Sequence, residues 1–374
     1  MKKILLLFLS LFLCLNLSSC NNKENNGIKI RDILNRKITL PLDINRVVCV
    51  GTGTLRLYSY IGDMNLICGV EDCEKEDNHM FKKMAVRPYS LVYSSLFKNL
   101  PSCGLGGGKN QFPEPEKILI CRPDIVLTTY TDIKSLEQLN VPIIVLSYGT
   151  KDVFDNCLYQ SLNILGKIFS KQERSKQIID YIKEQENFLF NKTKDITFED
   201  KPSLYLGCLS KAGLHGIESS HADYPLFEVS NIRNILKENG FKGYQKEVDI
   251  EKLLSMNPDK IIIDVGGINI LKQQYAKDNY KQVFNNLDAF KNKEVYVQLP
   301  YNSYYTNLEI ALCNAYYEAS IAYRDLYKDF NLTNKYEEIF SIFYTKDVYY
   351  KTIEKVGYSY GKLDLESTFP NYKK

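Results

Sequence analysis

The chain has 374 residues, of which 44% are hydrophobic, and a formal net charge of +3. Without Lys2 and Lys3 the charge falls from +3 to +1, and the other lysines are dispersed among glutamates, so the composition excludes a strongly basic surface for nucleic acid. The length is enough for two domains of ordinary size. No CxxC pair occurs, which excludes a zinc ribbon, and several cysteines lie in apolar runs. We therefore expect buried thiols rather than a network of disulfides.

The N-terminus has the pattern of a secretory signal. Lys2 and Lys3 precede an apolar run over residues 4–17 that is too short to span a membrane. Small residues then precede Cys20, which looks like a bacterial lipobox, and the resemblance implies cleavage before Cys20 and lipidation at this residue. The alternative is an ordinary signal peptide followed by a cysteine by coincidence. We predict a signal peptide at residues 1–19, a flexible tether at 20–27, and a lipid-anchored protein outside the cytoplasmic membrane.

Residues 28–150 alternate apolar strand-like runs with short helical patterns. Buried strands are predicted near residues 46–50 and 66–70, with a helix at 55–61 between them. A long loop then ends in a cluster of glycines that includes Gly107. Strands that alternate with helices at this spacing indicate parallel βα units.

One sequence pattern occurs twice, at residues 114–127 and 249–262. In each copy a glutamate, Glu116 or Glu251, lies at the start of a short helix, where a carboxylate suits the positive end of the helix dipole. A Pro-Asp pair then ends the helix, and a short apolar run predicts a buried strand. One unit present twice predicts two similar lobes.

Between the two copies, residues 151–200 are predicted to form a rigid helical connector. An apolar stripe marks a first helix, and a capping box that begins at Ser170 opens a second helix, which runs to about Phe190. The first lobe is expected at residues 28–150 and the second at 201–328. The tyrosine-rich tail at 329–374 is expected to be a helical extension.

These features together resemble the periplasmic-binding-protein family that serves ABC importers of iron–siderophore complexes, haem and cobalamin. The resemblance also rests on three short sequences, Arg87-Pro88-Tyr89, residues 215–219 (HGIES) and residues 298–302 (QLPYN). It implies an α/β fold with two Rossmann-like lobes, a single long rigid interlobe helix and a helical C-terminal extension. It further implies that Glu116 and Glu251 dock onto the permease dimer, although both could simply be carboxylates that favour helix starts.

The ligand is expected in the cleft between the lobes, at the strand ends. Arg87 offers a fork of donors for an anionic chelate, and tyrosine can ligate ferric iron, although general packing is the alternative for each tyrosine. His215 lies in one polar loop with His221 and Glu218 and is the candidate metal ligand, but the spacing matches no fixed zinc motif. The predicted ligand contacts are Arg87, Tyr89, Gly107, His215, Glu218, Tyr301, Tyr304 and Tyr305.

The sequence thus predicts the extracytoplasmic solute-binding subunit of an ABC importer. Its ligand would be an iron complex, a siderophore or haem, delivered to the permease dimer and its ATPase, and it would have no intrinsic cofactor and no catalytic activity. Cobalamin or a free metal ion is the alternative ligand. An enzyme acting on a metal or tetrapyrrole could share this architecture, but the secretory signal argues against it, since such enzymes need cytoplasmic partners.

Overall fold

The computed structural model describes residues 27–75, 86–107, 112–211 and 213–363. The predicted signal peptide and Cys20 lie outside these residues. The strands are β1 Ile28–Arg31, β2 Lys37–Leu40, β3 Val47–Val50, β4 Ile67–Gly69, β5 Ile125–Thr128, β6 Ile143–Val145, β7 Ser203–Gly207, β8 Ser220–His221, β9 Arg233–Asn234, β10 Tyr244–Gln245, β11 Lys260–Asp264, β12 Val295–Gln298 and β13 Gly361–Lys362. The α-helices are α1 Thr54–Ile61, α2 Pro88–Phe97, α3 Pro115–Ile120, α4 Lys134–Glu137, α5 Asn156–Ile168, α6 Gln172–Thr193, α7 Pro225–Val229, α8 Ile235–Glu238, α9 Ile250–Met256, α10 Ile268–Tyr275, α11 Asp278–Asn286, α12 Asp288–Lys291, α13 Leu308–Ala322, α14 Arg324–Tyr327, α15 Leu332–Phe343 and α16 Lys346–Val356.

The first sheet has the strand order β4-β3-β5-β6, and all its strands are parallel. Every residue of these four strands is buried, as expected for a parallel sheet covered on both faces. The second sheet has the order β13-β12-β11-β7-β9, in which only β13 is antiparallel to its neighbour. These two sheets define lobe one and lobe two, and they confirm the predicted α/β fold with two lobes.

The repeated sequence pattern folds as predicted. In its first copy α3 leads into β5, and in the second copy α9 leads into β11. The first helix ends three residues before its proline and the second ends two residues before. In both copies the residue before the proline is left-handed, Arg122 with φ 46° and Asn257 with φ 43°. Glu116 and Glu251 occupy the same position, the second residue of each helix, and both side chains are exposed.

The long helix α6 follows lobe one in the chain and precedes β7 of lobe two. It has 22 residues and packs against α5. The predicted capping box at its start is wrong, because Ser170 has φ 53° and Lys171 is the N-cap residue without a side-chain cap. The turn instead closes α5, since the Lys171 amide donates to the Gly166 carbonyl at 2.7 Å.

The C-terminal extension contacts both lobes. Helix α16 packs on α2 of lobe one, and Tyr60 of α1 contacts the ring of Phe343 at 4.9 Å between centroids. The extension is not wholly helical, because β13 pairs with β12 and adds an edge strand to the sheet of lobe two. In the described part of the chain, no helix has the length and apolar character needed to cross a bilayer.

Candidate ligand-binding site

The chain segment that follows β3 forms one wall at the strand ends of lobe one. Gly51 has φ 93°, and a β-carbon there would lie 2.9 Å from the Thr129 hydroxyl and 3.2 Å from the Tyr130 ring. Thr129 donates to the Thr52 carbonyl at 3.0 Å, which joins the ends of β3 and β5. Both Thr129 and Tyr130 are half-buried, so this wall is partly open to solvent.

A loop from lobe two, residues 301–307 after β12, inserts into lobe one. The buried guanidinium of Arg56 donates to the carbonyl oxygens of Ser303 at 2.5 Å, Tyr304 at 3.1 Å and Thr306 at 3.1 Å. Tyr304 and Tyr305 have φ values of 55° and 77°, a left-handed conformation that is costly for side chains of this size. The three hydrogen bonds from Arg56 help to hold the loop in this shape.

The inserted loop presents Tyr305 at the surface of lobe one. Its ring lies 4.4 Å from that of Tyr148, centroid to centroid, with 35° between the planes. Tyr148 is buried and donates to the Gly53 carbonyl at 2.9 Å, whereas Tyr305 is 36% exposed. The pair therefore forms an aromatic platform with one accessible ring next to the start of α1.

Arg87 and Tyr89 belong to a buried network rather than to an open surface. Arg87 pairs with Glu74 at 2.6 Å and donates to the Cys73 carbonyl at 2.7 Å, and the side chains of Arg87 and Glu74 are 1% and 2% exposed. The Tyr89 hydroxyl donates to the same carboxylate at 2.7 Å. In this conformation neither residue can touch a ligand, so the predicted direct contacts are not supported. Sequence could not show that Glu74 faces them.

Tyr304 and Tyr301 are also predicted contacts that the structure buries. The Tyr304 hydroxyl donates to Glu71, which also accepts from the Gly51 amide at 3.1 Å. Burial of Glu71 raises the pKa of its carboxyl to about 7. Tyr301 is 3% exposed and donates to Asp152 at 3.3 Å. Both tyrosines are therefore buried beneath the site and hold its loops through these hydrogen bonds. Of the predicted tyrosines, Tyr305 is the accessible one.

The glycine cluster packs beside the carboxylate of Glu71. The amides of Asp72 and Cys73 donate to the carbonyls of Gly104 and Leu105 at 2.8 and 3.0 Å. Gly107 is half-buried with φ 86°, at the end of the described segment. Gly108 lies outside the described residues, and ligand contact by Gly107 stays a prediction.

His215 lies on the loop after β7 that forms the lobe-two side of the site. Its ring is half-buried, and its Nε2 has no hydrogen-bond partner among the described residues. The ring of Tyr244 lies 6.4 Å from that of His215 and 6.5 Å from that of His221. Burial lowers the pKa of His221 to about 4, so this imidazole is neutral at pH 7. Among the described residues, each ring thus carries one buried nitrogen without a hydrogen-bond partner, Nε2 of His215 and Nδ1 of His221.

Glu218, which was predicted to line the site, is engaged elsewhere. It accepts hydrogen bonds from the side chains of Gln274 and Tyr280, both at 2.5 Å. Within residues 27–75, 86–107, 112–211 and 213–363, no three His, Cys, Asp or Glu side chains are grouped so as to hold a metal ion. Glu218 therefore fixes the loop that carries His215, and its predicted ligand contact is not supported.

Sequence reasoning missed several residues at the strand ends. Lys211 follows β7 and acts electrostatically on Asp152, which lies after β6, so the two lobes approach each other at these residues. Tyr130 lies two residues after β5, and Tyr148 lies three residues after β6. Their positions just after predicted strands were the signal that could have identified them. Two surface cavities lie away from this site, one beside Phe198 and Arg233 and one beside Leu42 and Phe169.

Two mostly parallel sheets, with an aromatic platform on lobe one and a histidine loop on lobe two, have the arrangement of a two-lobed binding protein. The chain belongs to the periplasmic binding protein family, whose model matches residues 81–300. Members of this family are solute-binding proteins of ABC transporters and act outside the cytoplasm. The chain is therefore a binding protein of this class rather than an enzyme.

Relatives with known names cover most of the chain. The molybdate-binding protein MolA of Haemophilus influenzae is 22% identical over 347 residues, which cover 84% of this chain and 90% of that protein. The iron-uptake system-binding protein of Bacillus subtilis is 25% identical over 319 residues, 79% of this chain and 91% of that protein. A periplasmic solute-binding protein from Veillonella parvula has the same fold, with a TM-score of 0.66 at 20% identity over 88% of this chain and 98% of that structure.

Proposed function

We propose that this binding protein captures an iron complex, a siderophore or haem, between the platform of Tyr305 and Tyr148 and the loop of His215. The observation that carries the proposal is the accessible ring of Tyr305 on its platform. The loop of His215 adds a buried Nε2 that has no hydrogen-bond partner among the described residues. An iron chelate brings most of its own ligands, so one nitrogen from His215 suits it, and a flat organic group suits the ring of Tyr305. The iron-uptake protein of Bacillus subtilis supports this ligand class.

The test is a titration of the mature chain with Cys20→Ser, using haemin and a ferric catecholate siderophore, followed by visible absorption. We expect a saturable spectral change at one ligand per protein. His215→Ala should remove or shift the band, because the imidazole would be an iron ligand. His221→Ala is the matched control and should leave the band in place. No spectral change with either compound would refute the proposal.

Two further variants test whether the ligand binds on the aromatic platform. Tyr305→Ala should weaken binding about ten-fold, or about 1.4 kcal/mol, because an accessible ring is lost. Tyr350→Ala removes a tyrosine that is 49% exposed on α16 and should leave affinity unchanged. Equal affinities for the Tyr305→Ala and Tyr350→Ala variants would place the ligand away from the platform.

A second candidate ligand is a tetrahedral oxyanion. The similarity to the molybdate-binding protein favours it, and so does the start of α1, where the N-cap Gly53 has φ 77° and supplies no side-chain cap. Molybdate would raise the melting temperature without a visible band. A rise in melting temperature with molybdate, without a spectral change with haemin or the siderophore, would favour the oxyanion as the ligand.

Delivery to an ABC permease dimer and its ATPase is part of the same proposal. Glu116 and Glu251 would dock onto the permease, since each is exposed at the same position of its helix. On lobe one the surface near Glu116 also exposes Leu119 by 47% and Ile120 by 73%, as a protein contact would require. The lipid anchor at Cys20 would keep the protein near the permease.

A further inference from the structure

Two cysteines of lobe one lie in direct contact. The Sγ atoms of Cys103 and Cys121 are 3.5 Å apart, and each residue is 1% exposed. Cys103 is held beside β4 because its amide donates to the Val70 carbonyl at 2.8 Å. Cys121 is the C-cap residue of α3. Two separate parts of the chain therefore bring their thiols together inside lobe one.

The neighbouring strand leaves room for this sulfur pair. A β-carbon at Gly69 in β4 would lie 2.4 Å from the sulfur of Cys121 and 2.6 Å from that of Cys103. No side chain fits there while both sulfurs are present. The adjacent Cys68 directs its thiol to the Val47 carbonyl at 3.5 Å instead. The packing thus favours one particular pair among three nearby cysteines.

We propose that Cys103 and Cys121 form a disulfide bond outside the cytoplasm. The oxidant is a disulfide, either a small molecule or a thiol oxidase. The Cys121 thiolate attacks it and forms a mixed disulfide, and the Cys103 thiolate then displaces the second oxidant thiol. The two cysteines lose two protons and two electrons, and the oxidant disulfide is reduced to two thiols. The sulfurs need to approach by about 1.5 Å to reach bonding distance.

The charge state of the pair suits this chemistry. The hydrogen bond from the Cys103 thiol lowers the pKa of Cys121, and the same bond and burial raise the pKa of Cys103. The thiolate is the nucleophile in exchange, so Cys121 is the attacking sulfur and Cys103 the resolving one.

The bond would restrain the segment that carries Glu116. It closes a loop from residue 103 to residue 121 that contains the glycine cluster and α3. The structure already joins this loop internally, because the Leu105 amide donates to Glu114 at 3.0 Å. Oxidation would therefore fix α3 against β4. An effect of this restraint on permease docking through Glu116 rests on the proposed function, whereas the disulfide bond itself does not.

The test uses the mature chain with Cys20→Ser, refolded with and without oxidised glutathione. Peptide mapping without reductant should find the peptides of Cys103 and Cys121 linked, with the loss of two hydrogen masses and of two free thiols. Cys68→Ser is the control and should keep the link, whereas Cys103→Ser and Cys121→Ser should each abolish it. A full count of free thiols after oxidative refolding, or a link through Cys68, would overturn the proposal.

A second measurement needs no variant. In the oxidised wild-type protein, amide hydrogen exchange in residues 114–121 should slow, and the melting temperature should rise by a few degrees, because a loop of this size is closed in the unfolded chain. Both effects should reverse with dithiothreitol. A linked pair that changes neither exchange nor melting temperature would contradict the restraint on α3 and leave the docking proposal untouched, since docking is tested by uptake.

Discussion

The position of Arg87 leads to a prediction that separates a structural role from a ligand contact. Replacing Arg87 by Met keeps most of the side-chain volume but leaves the carboxylate of Glu74 buried without its cation. Loss of one partner of a buried ion pair costs about 3–5 kcal/mol, because the remaining charge is neither solvated nor paired. We therefore expect Arg87→Met to lower the free energy of unfolding by about this amount. A double variant with Glu74→Leu should recover much of the loss, since no charge then remains unpaired.

The assay is urea unfolding followed by far-ultraviolet circular dichroism, because the chain has no tryptophan. Lys237→Met is the control: its ion pairs with Asp223 and Glu228 are about half exposed and should contribute less than about 1 kcal/mol. If Arg87→Met unfolds like the wild type and loses ligand affinity, Arg87 faces the ligand in solution and the argument from burial is wrong.

Three further predictions concern pH, the extension and docking. Burial raises the folded-state pKa of Glu71 to about 7. The stabilising contribution of Glu71 to the free energy of unfolding is therefore fully present below about pH 4.5 and is lost as the pH rises through 7. Between these limits the free energy of unfolding should fall by roughly 3 kcal/mol more in the wild type than in Glu71→Gln. Equal pH profiles of the two proteins would contradict this prediction. Phe343→Ala should cost about 3–5 kcal/mol in urea unfolding because its buried ring contacts α1, whereas Phe112→Ala, at a residue 77% exposed, should cost almost nothing. Glu116→Ala combined with Glu251→Ala should abolish uptake of the radiolabelled iron complex at unchanged ligand affinity, and a loss of affinity would place these residues in the cleft instead.

The fold was predictable because its signals are local. Periodicity and Pro-Asp stops marked α3 with β5 and α9 with β11, and the repeated pattern indicated two lobes. The cap of α6 was mispredicted because Ser170 adopts a left-handed conformation that closes α5. The edge strand β13 was missed because two residues carry too little pattern to indicate a strand.

The site was harder to predict because its decisive contacts are distant in sequence. Arg87 and Tyr89 have the right chemistry for a ligand, and only the fold shows that Glu74 satisfies both. Tyr301, Tyr304 and Tyr305 are equivalent as tyrosines, and the insertion of their loop into lobe one leaves Tyr305 the accessible one.

The inserted loop also limits how the two lobes can move. Arg56 makes three charge-assisted hydrogen bonds to the loop, each worth roughly 1.5–3 kcal/mol, in a buried site where water does not replace them. The extension adds a second connection, because α16 packs on lobe one while β13 completes the sheet of lobe two. A wide swing of one lobe would break both connections. Under the proposed function, ligand capture would then work through small shifts of the loop that carries His215, with Tyr305 on lobe one as the stationary surface.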